Sequence, residues 1–116
     1  MKGLFILHDA PYGTERSYNG LRLALELVKV DEVELRMFLI GDAVGCAKPG
    51  QTTPDGQYNI GRMLKGLTHR GVMVGACGSC LDARGCTEAD LAPGICRSSM
   101  SQLAEWTVWA DKVITF

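Results

Sequence analysis

Gly71-Val72-Met73-Val74-Gly75-Ala76-Cys77-Gly78-Ser79-Cys80 is the stretch on which the reading of this chain turns. Its first half is short, apolar and β-branched, with glycine at its edges. That is the pattern of a parallel strand buried on both faces. Its second half sets two thiols three positions apart at the strand's end. Open α/β sheets place their chemistry at the carboxyl ends of their strands, so Cys77 is the candidate nucleophile.

Upstream, Gly3-Leu4-Phe5-Ile6-Leu7 is another continuous apolar run, and Val33 to Ile40 reads as a further strand, ended by Gly41-Asp42. Between them Tyr18, Leu21, Leu25 and Val28 recur at helical spacing, as do Ile60, Met63, Leu64 and Leu67 further on. Asp9, Pro11 and Gly13 mark His8 to Glu15 as a loop, and Pro49 to Gly56 is too rich in proline and glycine to be regular. Residues Ala43 to Lys48 have room for one helical turn. Downstream, Gly78 to Arg84 reads as a short helix, and Ser99-Met100-Ser101-Gln102 as a capping box for a helix through Ala110. Lys112 to Phe116 is a short terminal strand.

This alternation predicts a three-layer α/β/α fold with a mostly parallel sheet of about five strands, in a single domain spanning residues 1–116. Right-handed crossovers gather the strand-to-helix loops at one edge. Three loops then meet there: His8 to Glu15, Gly41 to Cys46, and Cys77 to Arg84.

Hydrophobic residues make up 47% and charged residues 22% of the chain, with a formal net charge of −1. That balance favours neither nucleic acid nor an anionic membrane as partner. No apolar run approaches the length of a membrane span, and the run before Asp9 is too short for an export signal. Five cysteines, an odd number, fit a reduced cytoplasmic protein whose thiols serve reactivity rather than stapling.

Cys77 closes a strand and opens a helix, where unpaired N–H groups favour a thiolate. Gly78 and Ser79 let the backbone approach a bound sulfur species, and Arg84 adds positive charge. Three readings stand for Cys80: a thiol that resolves an intermediate on Cys77, a second sulfur carrier, or a packing residue. The spacing from Cys77 through Cys80 and Cys86 to Cys96 is C-x2-C-x5-C-x9-C, without the second Cys-x-x-Cys of a zinc ribbon, so no metal site is expected. Cys46 and Cys96 read as packing or incidental thiols. Asp9 and Tyr12, after the first strand, are candidates to line the site, Asp9 reading equally well as a turn carboxylate. Asp42 reads as a cap. His8 lies at the edge from which a side chain reaches the site, and His69 near a helix end, where it compensates the dipole.

Taken together, Leu4-Phe5-Ile6-Leu7 with Pro11-Tyr12-Gly13, Phe38-Leu39-Ile40-Gly41-Asp42-Ala43-Val44, the run from Gly71 to Cys77, Arg84-Gly85, and the ending from Ala104-Glu105-Trp106 to Ala110-Asp111-Lys112-Val113 resemble the DsrE/DsrF-like (YchN-like) sulfur-relay family over nearly the whole chain. The resemblance implies a sulfur carrier that holds a persulfide on the cysteine after the third strand, here Cys77. It implies sulfur donor and acceptor proteins or small thiols as partners, no organic cofactor, and a homo-oligomer (dimer, trimer or hexamer). Cys80 stands outside the family's basic carrier pattern. It leaves open a dithiol redox-sensing or metal-binding regulatory module that uses the Cys77–Cys80 pair without sulfur turnover.

Overall fold

Five strands form one sheet: Lys2–Leu7 (β1), Glu34–Leu39 (β2), Met73–Cys77 (β3), Ile95–Ser98 (β4) and Lys112–Thr115 (β5). Every neighbouring pair is parallel, in the order β4-β3-β2-β1-β5. The computed structural model describes the backbone of residues 1–116 and every side chain except that of Asp55. The helices are Arg16–Leu27 (α1), Ile60–His69 (α2), Gly78–Asp82 (α3) and Met100–Trp109 (α4). No helix is long and apolar enough to cross a membrane.

Why the chain adopts this layering follows from its strand residues. Phe5, Met37, Val74 and Ile95 lie in one register row, and all are buried. The next row is Ile6, Phe38, Gly75 and Cys96. Successive side chains point to opposite faces, so apolar rows on both faces demand cover on both.

On one face Phe5 stacks on Phe116, with ring centroids 6.3 Å apart. A methyl on Gly20 of α1 would lie 2.7 Å from Leu7 and 3.1 Å from Phe116, so α1 seats here only with its backbone close to the sheet. Helix α2 packs beside it through Gly66 and Leu25. On the other face α4 lays Trp106 edge-on against Phe38, at 6.2 Å and 87°. Trp106 also covers Gly75, where a Cβ would sit 3.4 Å from the indole and 3.0 Å from the Ser98 Cβ. The Arg36 guanidinium lies 4.0 Å from the centroid of the Trp109 ring, a cation–π contact at the far end of α4. Each fully buried aliphatic or aromatic side chain of this kind contributes roughly 1.5–3 kcal/mol over exposure.

The expected architecture is present, with differences of detail. Strand β4 has no counterpart in the apolar pattern, because of Ile95, Cys96, Arg97 and Ser98 only Ile95 is buried. An edge strand with a single buried side chain leaves almost no periodic signal. The turn after β2 is a 3-10 helix, Gly41–Ala47, held by four buried residues. Another 3-10 turn, Pro54–Gly56, sits inside the segment read as irregular. Ser99 caps α4 by accepting from the Gln102 amide at 3.2 Å, as the sequence suggests. The Gln102 side chain turns instead to the Ser98 hydroxyl.

Phe38 is fully buried beneath Trp106. Replacing it with alanine is expected to cost about 3–5 kcal/mol of unfolding free energy, measured by urea denaturation, since the rigid strands around it cannot collapse into the space. A loss below about 1 kcal/mol would show that α4 repacks freely over the sheet.

Candidate functional site

Strand β3 is paired with β4 up to its last residue, Cys77 opposite Ser98, while its pairing to β2 stops one residue earlier, Ala76 opposite Leu39. The chain then turns directly into α3, with Cys77 as its N-cap residue. One helical turn separates Cys77 from Cys80 and brings both to the same side. The two Sγ atoms are 2.8 Å apart, with Cys80 donating to Cys77. Ser79 Oγ lies 3.3 Å from the same sulfur. Cys77 is buried, at 3% exposure, whereas Cys80 is partly exposed.

These neighbours separate the two thiols in acidity. Burial pushes Cys77 up. Hydrogen bonds from Cys80 Sγ, Ser79 Oγ and the backbone amides of Cys80 and Ser79 more than offset it, leaving Cys77 below the ordinary thiol value. Cys80 moves the other way. Burial raises it first, and its hydrogen bond to Cys77 raises it further, against lesser opposing effects of the Gly41 amide and Arg84. Cys77 is therefore the sulfur that ionises first, and Cys80 keeps its proton. Helix α3 has five residues, so its macrodipole is small, and local N–H groups carry the stabilisation expected of a longer helix.

The second loop reaches this pair through Gly41. Its φ of +58° is a left-handed conformation that glycine adopts without strain. Its N–H points at Cys80 Sγ, 3.2 Å away. Next to it, Asp42 accepts from Arg84 Nη2 at 2.6 Å, and Arg84 Nη1 donates to the Cys80 carbonyl at 2.9 Å. Asp42 thus orients Arg84; it does not cap, which corrects the sequence reading.

A second guanidinium, Arg97 of β4, holds Asp82 through two bonds of 2.8 Å. It lies over Gly78 so closely that a Cβ there would meet its Cζ, Nε and Nη2 at 2.9 Å. Both pairs are solvent-exposed and contribute little to stability; their consequence is positional, a cation on either side of the dithiol. Arg97 escapes sequence reasoning because its strand does, and because Asp82 lies fifteen residues upstream.

The first loop does not join in as expected. Asp9 pairs with Arg16 at 3.6 Å and accepts from Thr14 at 3.4 Å, while its carbonyl accepts from Ser17. It is a turn carboxylate, not a group lining the thiols. Tyr12 accepts at its hydroxyl from the Ile60 amide at 3.3 Å, tying the loop to the start of α2. Both depart from the site-lining expectation, because the loop folds over α1 and α2 rather than toward β3. His8 donates its amide to Phe116 and lines a cavity with Arg16 and Thr115 instead.

Burial pushes the Cys46 thiol up to about 11, which makes it a packing residue. Cys86 is half-buried, with Sγ 3.7 Å from the Arg84 carbonyl, and Cys96 is exposed. Among the described residues no three His, Cys, Asp or Glu side chains converge as a metal-ligand set.

A sequence profile described as the DsrE/DsrF-like family matches residues 1–116. The protein YchN of Escherichia coli K12 is 41% identical over 116 residues, covering 99% of this chain and 98% of that protein. An uncharacterized protein of Methanopyrus kandleri is 40% identical over 111 residues, covering 96% and 90%. The crystal structure of the E. coli YchN protein superposes with a TM-score of 0.91 at 42% identity, over all of both chains. A Methanobacterium thermoautotrophicum protein of unknown function has a TM-score of 0.75 at 18% identity, covering 99% of this chain and 98% of that one, which is likeness of fold.

Because only the thiolate alkylates, iodoacetamide labelling of Cys77, followed peptide by peptide against pH, is expected to persist to lower pH than an ordinary thiol of pKa about 8.5. It falls away as pH drops through the depressed value. In Cys80→Ala and in Ser79→Ala the midpoint moves to higher pH. Midpoints unmoved in both variants would mean that these hydrogen bonds do not set the acidity.

Proposed function

This chain belongs to the DsrE/DsrF-like family, and from that premise we propose that it is a sulfur-relay protein carrying sulfur as a persulfide on Cys77. The observation that carries this reading is the unequal thiol pair at the end of β3. Cys77 is held toward the thiolate by hydrogen bonds, with the Cys80 sulfur 2.8 Å away still protonated.

In the loading step the Cys77 thiolate attacks the outer sulfur of a donor persulfide. The donor's S–S bond breaks, the donor leaves as its thiolate, and the sulfane sulfur is now bonded to Cys77. The persulfide is more acidic than a thiol, so its charge is served by the same Ser79 and Cys80 amides and by Arg84 and Arg97 nearby. In the delivery step an acceptor thiolate attacks that outer sulfur, forms its own persulfide and returns Cys77 as a thiolate. Sulfur changes hands without net oxidation, and both steps call for thiols and persulfides alone. Cys77 is 3% exposed, and Cys80, with its sulfur 2.8 Å away, is the more open of the two. The donor and acceptor are proteins or small thiols, and the family resemblance extends the proposal to a homo-oligomer in the reducing cytoplasm.

The short Sγ–Sγ distance also favours a second outcome on the same residues. Cys80 passes its proton to the outer sulfur of the ionised persulfide and attacks Cys77 Sγ, hydrosulfide leaves, and a Cys77–Cys80 disulfide forms; an external dithiol must then reduce it. Without a sulfur donor, exchange with an external disulfide, which takes the two electrons and leaves as two thiols, gives the same Cys77–Cys80 disulfide, which is the dithiol-switch reading.

Intact-mass spectrometry after incubation with a persulfide donor separates these. A sulfur-relay protein is expected to gain about 32 Da per sulfur, reversibly under reductant, and to lose that gain in Cys77→Ser alone. Loss of two hydrogens that needs both cysteines, with no sulfur gain, would overturn the carrier in favour of the switch.

A further inference from the structure

Away from the thiols, the largest cavity described in the molecule, about 600 Å³, lies between α2, the loop Cys46 to Gln51 and the loop Ala92 to Ile95. Its volume falls in the range of small-molecule sites. Leu64, Pro93 and Ile95 give it an apolar floor. Lys48, Arg62, Lys65 and His69 stand on its walls, and no carboxylate does so among the described residues. The chain as a whole has 13 acidic against 12 basic residues, so this wall concentrates one sign of charge. Helical spacing explains part of it: Gly61, Leu64, Lys65 and Thr68 share one stripe of α2, with the small Gly61 leaving space at its start.

The walls are tied in place before any ligand arrives. Gln51 Nε2 donates to the carbonyls of Gly45 and Lys48 at 2.9 and 2.8 Å, which closes the first loop on itself. The Ala92 amide donates to the Ala47 carbonyl at 2.8 Å and joins the two loops. Gly94, at φ +87°, sits against Thr68, where a Cβ would come within 3.1 Å. Asn59 is spent as the α2 N-cap, accepting from the Arg62 amide at 3.0 Å. The cations are exposed and point charges or forks suited to phosphate oxygens.

We propose that this cleft binds an organic phosphate, with the phosphate held by Lys48, Arg62 and Lys65 and an apolar or aromatic body lying on Leu64, Pro93 and Ile95. The site is independent of the sulfur chemistry at Cys77.

Isothermal titration of the 116-residue chain with AMP, naphthyl phosphate, adenosine and inorganic phosphate tests it. At least one of the two organic phosphates is expected to bind. Its affinity should exceed that of adenosine and of inorganic phosphate by roughly tenfold or more and fall as salt is raised. Lys65→Glu, an exposed position whose fold is checked by its thermal melt, should weaken it roughly tenfold; Lys65→Arg should retain it; Cys77→Ser should bind as the parent does. Failure of both organic phosphates to bind, equal binding of adenosine or of inorganic phosphate, or indifference to Lys65→Glu in a folded variant each overturns the proposal. None of these outcomes bears on persulfide formation.

Discussion

Parallel pairing of β3 with β4 as far as Cys77 is the constraint on which the rest of the site depends. It ends the strand on a thiol and starts a helix on the next residue, so the Ser79 and Cys80 amides face that sulfur without any side chain having to place them. The pairing in turn rests on the packing beneath it. Trp106 fills the space over Gly75 and against Phe38, and Ser98 packs beside it. A larger residue at Gly75 would push α4 off the sheet and draw β4 away from β3. Core packing and site geometry are thus one problem in this protein.

The dithiol divides its labour through hydrogen bonding more than through burial. Burial raises both sulfurs. What distinguishes them is the direction of the bond between them: Cys77 accepts, and Cys80 donates. Gly41 keeps Cys80 in place from the neighbouring loop, and Arg84 does so from the turn after α3 while anchored by Asp42. The arrangement holds one proton between two sulfurs and two guanidinium groups outside them. Such a site suits chemistry in which negative charge stays on sulfur throughout.

Much of this was legible in the chain. Strands with uninterrupted apolar runs declare themselves, because burial on both faces removes polar alternation; β1 and β3 are of this kind, and β2 ends on the buried run Met37-Phe38-Leu39. Helix α2 shows its buried stripe, whereas in α1 the core-facing residues are Leu21 and the small Ser17, Gly20 and Ala24, and the expected Tyr18, Leu25 and Val28 are only partly buried. Cys77 and Cys80 follow from the end of β3, since the turn from strand to helix is local. Strand β4 was not legible, for it has one buried residue and takes its shape from β3. Arg97 went unseen with it. Asp42 misled because an acidic residue opening a helical turn suits a cap, and its actual partner is 42 residues further along the chain. Asp9 and Tyr12 misled because being at the functional edge of the sheet is not the same as facing β3: their loop turns over α1 and α2.

The sequence by itself determined the layers, the parallel direction of the sheet and the place of the Cys77–Cys80 pair at the end of a strand. Each follows from residues adjacent in the chain, through hydrophobic periodicity, short connections and backbone amides that cannot lie far from Cys77. Only the tertiary structure decided which sulfur keeps the proton, which cations flank the pair, and where a cleft lined by Lys48, Arg62 and Lys65 opens. Those depend on distances between segments tens of residues apart. Such distances are set by how the sheet orders its strands and by how closely α4, Gly78 and Gly94 let neighbouring elements approach.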